Sequence, residues 1–333
     1  MVRYVVLRSL QAVGVLWASF TVAFLILFAL PSDPVSIAVQ GNSATPVDQQ
    51  AVADLQARYG LDQSLLSQYW TSLTHAIRGD FGTSISTGQP VTTAIGDALP
   101  NTLALALSAL TLALAFGGLI AFATTYTRAG WLRTALQALP PLGVAVPTFW
   151  VGLMLLQAFS FNLHVFPAFG DKGFSTLVLP AITLALPTGA VIAQVLASSM
   201  GTTWRQPFVE TAQAKGASRI RVVSHHVVRL ASIPALTIAG VLFGNLIASA
   251  VVVETVFSRA GVGRLMQTSV MAQDIPVVLG IVVLSTVAFV LINLIVDLLY
   301  PLIDPRIVET FRNKAPSTEA TVSGPTEKEA AHV

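Results

Sequence analysis

Six stretches of this chain run for 22 residues or more without a single Asp, Glu, Lys or Arg: 9–32, 98–127, 134–170, 173–204, 230–253 and 275–296. Each can cross a bilayer, which takes about 20 apolar residues. The next longest uncharged gaps, between Asp33 and Asp48 and between Asp80 and Asp97, are too short and too polar to compete. The pattern therefore predicts an all-α, polytopic membrane protein with six transmembrane helices. Arg3 and Arg8 ahead of VGVLWASFTVAFLILFAL also suit a secretory signal, but this apolar run is longer than a signal's and ends in LPSDP without a small-x-small site. A retained first helix is expected.

The breaks between windows carry their own signals. Residues 33–97 form the one sizeable segment outside the membrane, expected on the outer side between helix 1 (1–32) and a core of five helices (98–303). Thr45, Pro46 and Asp48 read as N-cap, first-turn proline and acid near the positive end of a helix dipole, with Gly60 as the stop. In a second short helix Leu65, Leu66, Tyr69, Trp70, Leu73 and Ile77 share a face, and Gly79 closes it. These helices either cover the outer mouth or meet a partner. The third window is too long for one helix and holds Pro140, Pro141 and Pro147, so a kinked helix at about 137–160 with an outer loop after it is expected. The fourth contains Pro180 and Pro187 and reads as a second kinked span, whose prolines serve packing or gating. The tail 304–333 is cytoplasmic, and past Arg312 it is polar, aperiodic and expected to be disordered.

Composition sharpens this picture. Of 333 residues 54% are hydrophobic and 10% charged, far below the roughly 25% charged content of a soluble domain. The absence of cysteine removes disulfides, thiolate metal sites and cysteine nucleophiles. Net charge is only +2, but its placement is informative. Arg3, Arg8, Arg128, Arg133, Arg205, Lys215, Arg219, Arg221, Arg229, Arg306, Arg312, Lys314 and Lys328 fall on one side, against Arg58, Arg78, Lys172, Arg259 and Arg264 on the other. The positive-inside rule puts both termini in the cytoplasm. This topology accounts for the basic patches, and no signature of nucleic-acid binding accompanies them.

The loop between the fourth and fifth windows concentrates that charge: five cations from Arg205 to Arg229 against the single Glu210, a net +4. Residues 204–215 suit a helix on which Phe208, Thr211, Ala212 and Lys215 share a side, and Gly216 bends or breaks it. Ile220, Val223, Val227 and Val228 then begin a second apolar face. Two short helices joined at a glycine would make a compact knob, with Ala212, Ala214, Gly216 and Ala217 small enough to let a partner approach. A loop that merely fixes topology is the plain alternative.

A resemblance bears on that choice. Glu210-Thr211-Ala212-x3-Gly216 resembles the E-A-A-x3-G loop of permease subunits in binding-protein-dependent ABC importers. Thr211 stands where the family has alanine, and Val228-Arg229 replace its Leu-Pro. The run His226, Arg229, Ile233, Pro234 is similar to the dipeptide, oligopeptide and nickel branch. So are Gly79-Asp80-Phe81-Gly82, Gly88-Gln89-Pro90-Val91, Asn101-Thr102-Leu103, Pro147-x-Phe149-Trp150 and Leu179-Pro180-Ala181-x-Thr183-Leu184. Further matches are Glu254-x-x-Phe257, Gly261-x-Gly263, Asp274-x-Pro276 and Asp297-x-x-Tyr300-x3-Asp304-Pro305-Arg306, so the likeness spans about residues 1–307.

The resemblance implies a B-type permease with the type I, methionine-importer-like fold, in a bacterial or archaeal plasma membrane. It implies a homologous permease as heterodimeric partner, two ATP-binding subunits that carry ATP and Mg, and an extracytoplasmic binding protein that delivers a peptide. It also makes Glu210, Thr211, Ala212, Lys215, Gly216, Ala217, Ser218 and Arg219 the loop docked on the ATPase. Glu210 would pair with a partner's cation or the helix start, or stay solvated. Nickel complexes, glutathione and haem are alternative cargoes.

The residues agree on where the energy must come from. No Gly is followed by Lys, so the phosphate-cradling GxxxxGK[ST] loop is missing and another subunit must hydrolyse ATP; this chain is expected to bind no cofactor. The membrane windows are rich in Ser, Thr, Ala and Gly, which suits a wide, weakly binding passage; Gln194 and Asn245 either line it or hydrogen-bond between helices. An ion-coupled transporter would need ionisable groups near the midplane. None lies inside the windows: Glu254 and Asp297 sit at their edges, where Arg306 could neutralise Asp297. HExxH, GxSxG and paired membrane aspartates are missing, which argues against an intramembrane hydrolase. His225 and His226 are chain neighbours about 100° apart on a helix, a poor start for a metal site.

Overall fold

The computed structural model describes residues 2–29 and 63–303. The helix expected between Thr45 and Gly60, the tail from 304 and Arg306 lie outside the described residues. The helices are α1 (Val2–Ala29), α2 (Leu65–Ile77), α3 (Val91–Tyr126), α4 (Gly130–Ala145), α5 (Thr148–Leu155, continued by the wider π-type turns Leu156–Asn162) and α6 (Ser175–Trp204). They continue as α7 (Pro207–Ala214), α8 (Val228–Val256), α9 (Val262–Met271) and α10 (Ile275–Ile303). α1, α3, α6 and α8 are each long and apolar enough to cross a bilayer, and the bent pair α4–α5 makes a fifth span. α10, 29 residues long and apolar over Ile275–Leu291, occupies the sixth window.

Two boundaries differ from the sequence reading. The third window is a broken span, not one kinked helix: α4 starts at Gly130, and the chain turns by 100° between Ala145 and Thr148 before α5. The cause is local. Pro147 has no N–H and drives the preceding Val146 out of the helical region to φ −85°, ψ 128°, so the helix must stop there. By contrast Pro140, Pro141, Pro180 and Pro187 are accommodated inside α4 and α6. The second departure is α9, a short helix between the last two spans that its polar composition did not announce.

The bundle is organised around the seam between α3 and α6. Ala109, Ala113, Gly117 and Ala121 recur every fourth residue on α3, and Ala181, Ala185, Gly189 and Ala193 do the same on α6; all are buried. A Cβ added at Gly117 would stand 2.8 Å from the Gly189 carbonyl oxygen, and one at Gly189 would stand 3.1 Å from that of Ala113. Backbones this close need residues without bulk, the small-xxx-small logic of helices in lipid. The sequence reading gave these small residues to a wide passage; a large share of them are spent instead on packing within the subunit. Leu105, Leu156, Leu179, Leu184, Leu246, Val253 and Phe257 fill the outer half of the core around the seam.

The first helix is attached at the side. Phe20, Phe24 and Tyr69 form an aromatic cluster joining α1 to α2, and Ser19 bonds Thr286 of α10 at 2.8 Å. α2 begins and ends as its periodicity predicts: Gly79, at φ +77°, receives the stop, with Gly79 N–H donating to Ala76 O and Asp80 N–H to His75 O.

Replacing Gly117 by Val should push α3 off α6 and destabilise the bundle by about 1–3 kcal/mol, as overpacking does. A Cβ at the adjacent Gly118 would meet nothing within 4 Å, so Gly118→Ala should be tolerated. Thermal unfolding in detergent, followed by size-exclusion chromatography, distinguishes the two.

Candidate coupling site and the outer latches

The basic loop folds as an elbow. Pro207 opens α7 at its first turn, where a missing N–H costs nothing, and Glu210 sits near the positive end of that helix. α7 ends at Ala214 and is closed by Gly216, whose φ of +84° an L side chain rarely adopts. Gly216 N–H donates to Gln213 O and Ala217 N–H to Ala212 O, the paired bonds of a Schellman turn, which needs a left-handed residue at this place. The chain re-enters helix at once. Arg219–Arg221 and the π-type turns Val222–Val227 lead into α8 without a break. The second short helix expected after Gly216 is therefore the root of the fifth crossing, not a separate element.

The elbow has a buried sole and an exposed ridge. Val209, Val222, Val223 and Val227 are buried with Ala121 of α3 and Met200 of α6, and Phe208, Ala212, Ala217 and Val228 pack against them. Ile220, expected on this apolar face, is 54% exposed, because the π-type turns rotate Val222 inward in its place. Glu210, Thr211, Lys215, Gly216 and Ser218 are exposed. Thr211 Oγ1 donates back to Pro207 O at 3.2 Å, and the Ser218 carbonyl accepts from Val222 N–H at 3.0 Å. Among the described residues Glu210 has no ion-pair partner. Arg219 behaves differently: Nε donates to Tyr126 O and an Nη to Thr125 O, both at 2.9 Å, and its guanidinium lies 4.5 Å from the ring centre of Trp204. Burial, with Arg128 nearby, lowers its pKa, yet an arginine stays charged at physiological pH.

The remaining candidates do not converge. Gln194 borders a cavity of about 250 Å³ between α3, α4 and α6, together with Thr124, Gln137 and Ser198. Asn245 is exposed on α8 and does not border that cavity. His225 and His226 are exposed, edge to face with ring centres 5.7 Å apart, and no cluster of three metal-capable side chains occurs among the described residues.

At the opposite end, motifs far apart in sequence meet in two polar latches that sequence reasoning did not assemble. Glu254, at the end of α8, is fully buried. It accepts from Thr102 Oγ1 at 2.6 Å, Gly263 N–H at 2.7 Å and Arg264 N–H at 3.2 Å. Thr102 in turn accepts from Val262 N–H at 2.8 Å. The carboxylate thus takes free amides in the first turn of α9, a favourable place for negative charge. Room for it requires glycine at 261, where a Cβ would collide with its oxygens. Asn101 Nδ2 donates to Ala260 O, and buried Arg259 donates to the carbonyls of Gly170 and Thr176. In the second latch Asp274, also buried, accepts from the Ser84 and Ser86 hydroxyls and from the amides of Ile85 and Ser86. The spacing Glu254…Gly261-x-Gly263 carried a legible hint, an acid followed by glycines just before a helix start; Thr102 stood in a motif of its own that gave no sign of this partner.

Among the described residues the chain is a helical bundle with a broken third span and a basic elbow between the fourth and fifth crossings, the features expected of an ABC-importer permease. Comparison bears this out. Residues 113–309 match the family described as binding-protein-dependent transport system inner membrane component, and residues 1–106 match the corresponding N-terminal family. The chain belongs to this family and is a multi-pass permease of the bacterial inner membrane. It is 36% identical over 307 residues to the glutathione transport system permease protein GsiC of Salmonella typhimurium, covering 92% of this chain and 99% of that one. It is 35% identical over 315 residues to a putative peptide transport system permease protein of Brucella abortus, with the same coverage. Its fold is that of the permease in the inward-facing MetNI methionine ABC transporter, at TM-score 0.52 and 15% identity, covering 63% of this chain and 96% of that one.

Thr102→Val keeps the shape but strands the Val262 amide and removes one bond to Glu254. It should destabilise the protein by about 1–3 kcal/mol, the cost of unpaired buried polar groups. Thermal unfolding of purified protein measures it, and an unchanged midpoint would show the latch to be dispensable.

Proposed function

We propose that the elbow from Gln206 to Arg221 is the cytoplasmic surface on which separate ATP-hydrolysing subunits act, and that the chain pairs with a homologous permease to pass peptides delivered by an extracytoplasmic binding protein. One observation carries this reading: the elbow exposes Glu210, Thr211, Lys215 and Gly216 while its underside is cemented to α3, α6 and α8. A force on the ridge is therefore delivered to the spans. A loop that only fixed topology by charge would need no such underside.

Supply of energy from outside fits the missing Gly-Lys dipeptide, with ATP and Mg held by the partner subunits. Peptide cargo fits the relatives' names, glutathione being itself a small peptide. It also fits the scarcity of fixed charge along the crossings, since a passage for varied peptides must bind each one weakly.

Gly216→Val tests the elbow. Its Cβ would meet nothing within 4 Å, so the bundle should fold, but a left-handed φ costs a side chain about 1–2 kcal/mol and the turn should reshape. In the reconstituted complex, ATP hydrolysis should continue while ATP-driven uptake falls about ten-fold. Undiminished uptake would refute the assignment.

The purified chain alone should show no ATPase activity; steady turnover without other subunits would contradict the division of labour. Mass spectrometry of ligands retained by the cognate binding protein should find peptides, and nickel complexes or haem in their place would overturn the cargo assignment.

A further inference from the structure

Arg219 belongs to the elbow by sequence but not by direction. Both of its hydrogen bonds go to the last carbonyls of α3, Thr125 O and Tyr126 O, and its guanidinium lies over Trp204, the last residue of α6. The final carbonyls of a helix have no partner within it and carry the negative end of its dipole, so a cation there satisfies them and is held by them. Only a planar, forked donor can reach two adjacent carbonyls while stacking on an indole; the compact ammonium of lysine cannot do both. α3 and α6 are already joined along the small-residue seam, so one side chain fastens the elbow to the inner end of that pair.

We propose that Arg219 is the positioning residue that makes the elbow, α3 and α6 move as one body, and that it does not meet the ATPase. This rests on the reading of the elbow as the coupling surface. Without Arg219 the elbow would hang from its own two chain connections, to α6 and to α8, and from the apolar sole. Movement of α7 would then reach α3 incompletely.

The chain contains no cysteine, so spin labels at Gln213→Cys on α7 and Ala129→Cys just beyond α3, both exposed, report this attachment directly. The sample is the full complex with its partner permease, ATPase pair and binding protein, any partner cysteines being replaced. With Arg219 present, the distance between the labels should be single and narrow, with and without ATP. Arg219→Ala should broaden it and lower the solute moved per ATP about five-fold, while ATP hydrolysis stays within about two-fold and the unfolding midpoint is unchanged. Arg219→Lys keeps the charge without the fork and should remain uncoupled; it carries the test alone if the alanine variant fails to fold and insert in the membrane. Full coupling in Arg219→Ala, restoration by lysine, or loss of the ATPase subunits from the Arg219→Ala complex would each overturn the proposal. Gly216→Val in the same assay separates the two readings. If it uncouples and Arg219→Ala does not, only the pin fails; if neither uncouples, the elbow assignment fails with it.

Discussion

Everything in this subunit depends on how closely α3 and α6 approach. Lipid removes the hydrophobic drive between helices, so van der Waals contact and a few directed bonds must hold a bundle together. The chain meets this with alanine and glycine every fourth residue on both helices, which lets a carbonyl of one backbone lie against Cα positions of the other. The remaining spans are arranged around this pair. α8 closes it through Leu246, Ala250 and Val253; α10 packs on the outer part of α3 through Val277 and Ile281 and carries α1 and α2 at the flank.

α3 is also the member that reaches both faces. At 36 residues it extends about 54 Å, beyond the thickness of the hydrocarbon layer. Near its outer end Asn101 and Thr102 enter the latch with Glu254 and α9; at its inner end Thr125 and Tyr126 receive Arg219. The same rigid element therefore touches the outer closure and the inner elbow. This gives a physical route between the two faces without any polar chain through the membrane.

How much of this could be read from the sequence follows from which signals are local. Absence of charge located the windows, because a charge in hydrocarbon is excluded wherever it falls. Gly79 and Gly216 marked helix ends correctly, since a left-handed terminal residue is a property of a few consecutive positions. The π-type turns that bury Val222 and expose Ile220 were not legible: a pattern assuming 3.6 residues per turn assigns the wrong face once the turn widens. The small residues were seen but misassigned, because alanine suits a wet passage and a tight seam equally and only the facing helix decides. Thr102, Glu254 and Gly263 were each part of a noted motif, yet their meeting joins positions up to 161 residues apart, which no local pattern encodes.

The distribution of directed bonds then indicates where the subunit can yield. Buried Glu254, Arg259 and Asp274 lie at the outer face and Arg219 at the inner; the bonds each makes go mainly to backbone amides, backbone carbonyls or hydroxyls. Such bonds fix both partners in direction, so the ends of the bundle resist distortion. Between them, the hydroxyls of Thr183 and Thr188 turn back onto their own helix, and α3, α6 and α8 meet through apolar contact. Contacts without direction can slide by small amounts at little cost, and the broken α4–α5 span adds a corner that no continuous helix stiffens. Under the proposed coupling, the subunit must transmit force at its ends and change shape between them. Among the described residues, placing the buried charged fastenings at the ends, and leaving the meeting of α3, α6 and α8 to alanine, glycine and leucine, meets both demands with one sequence.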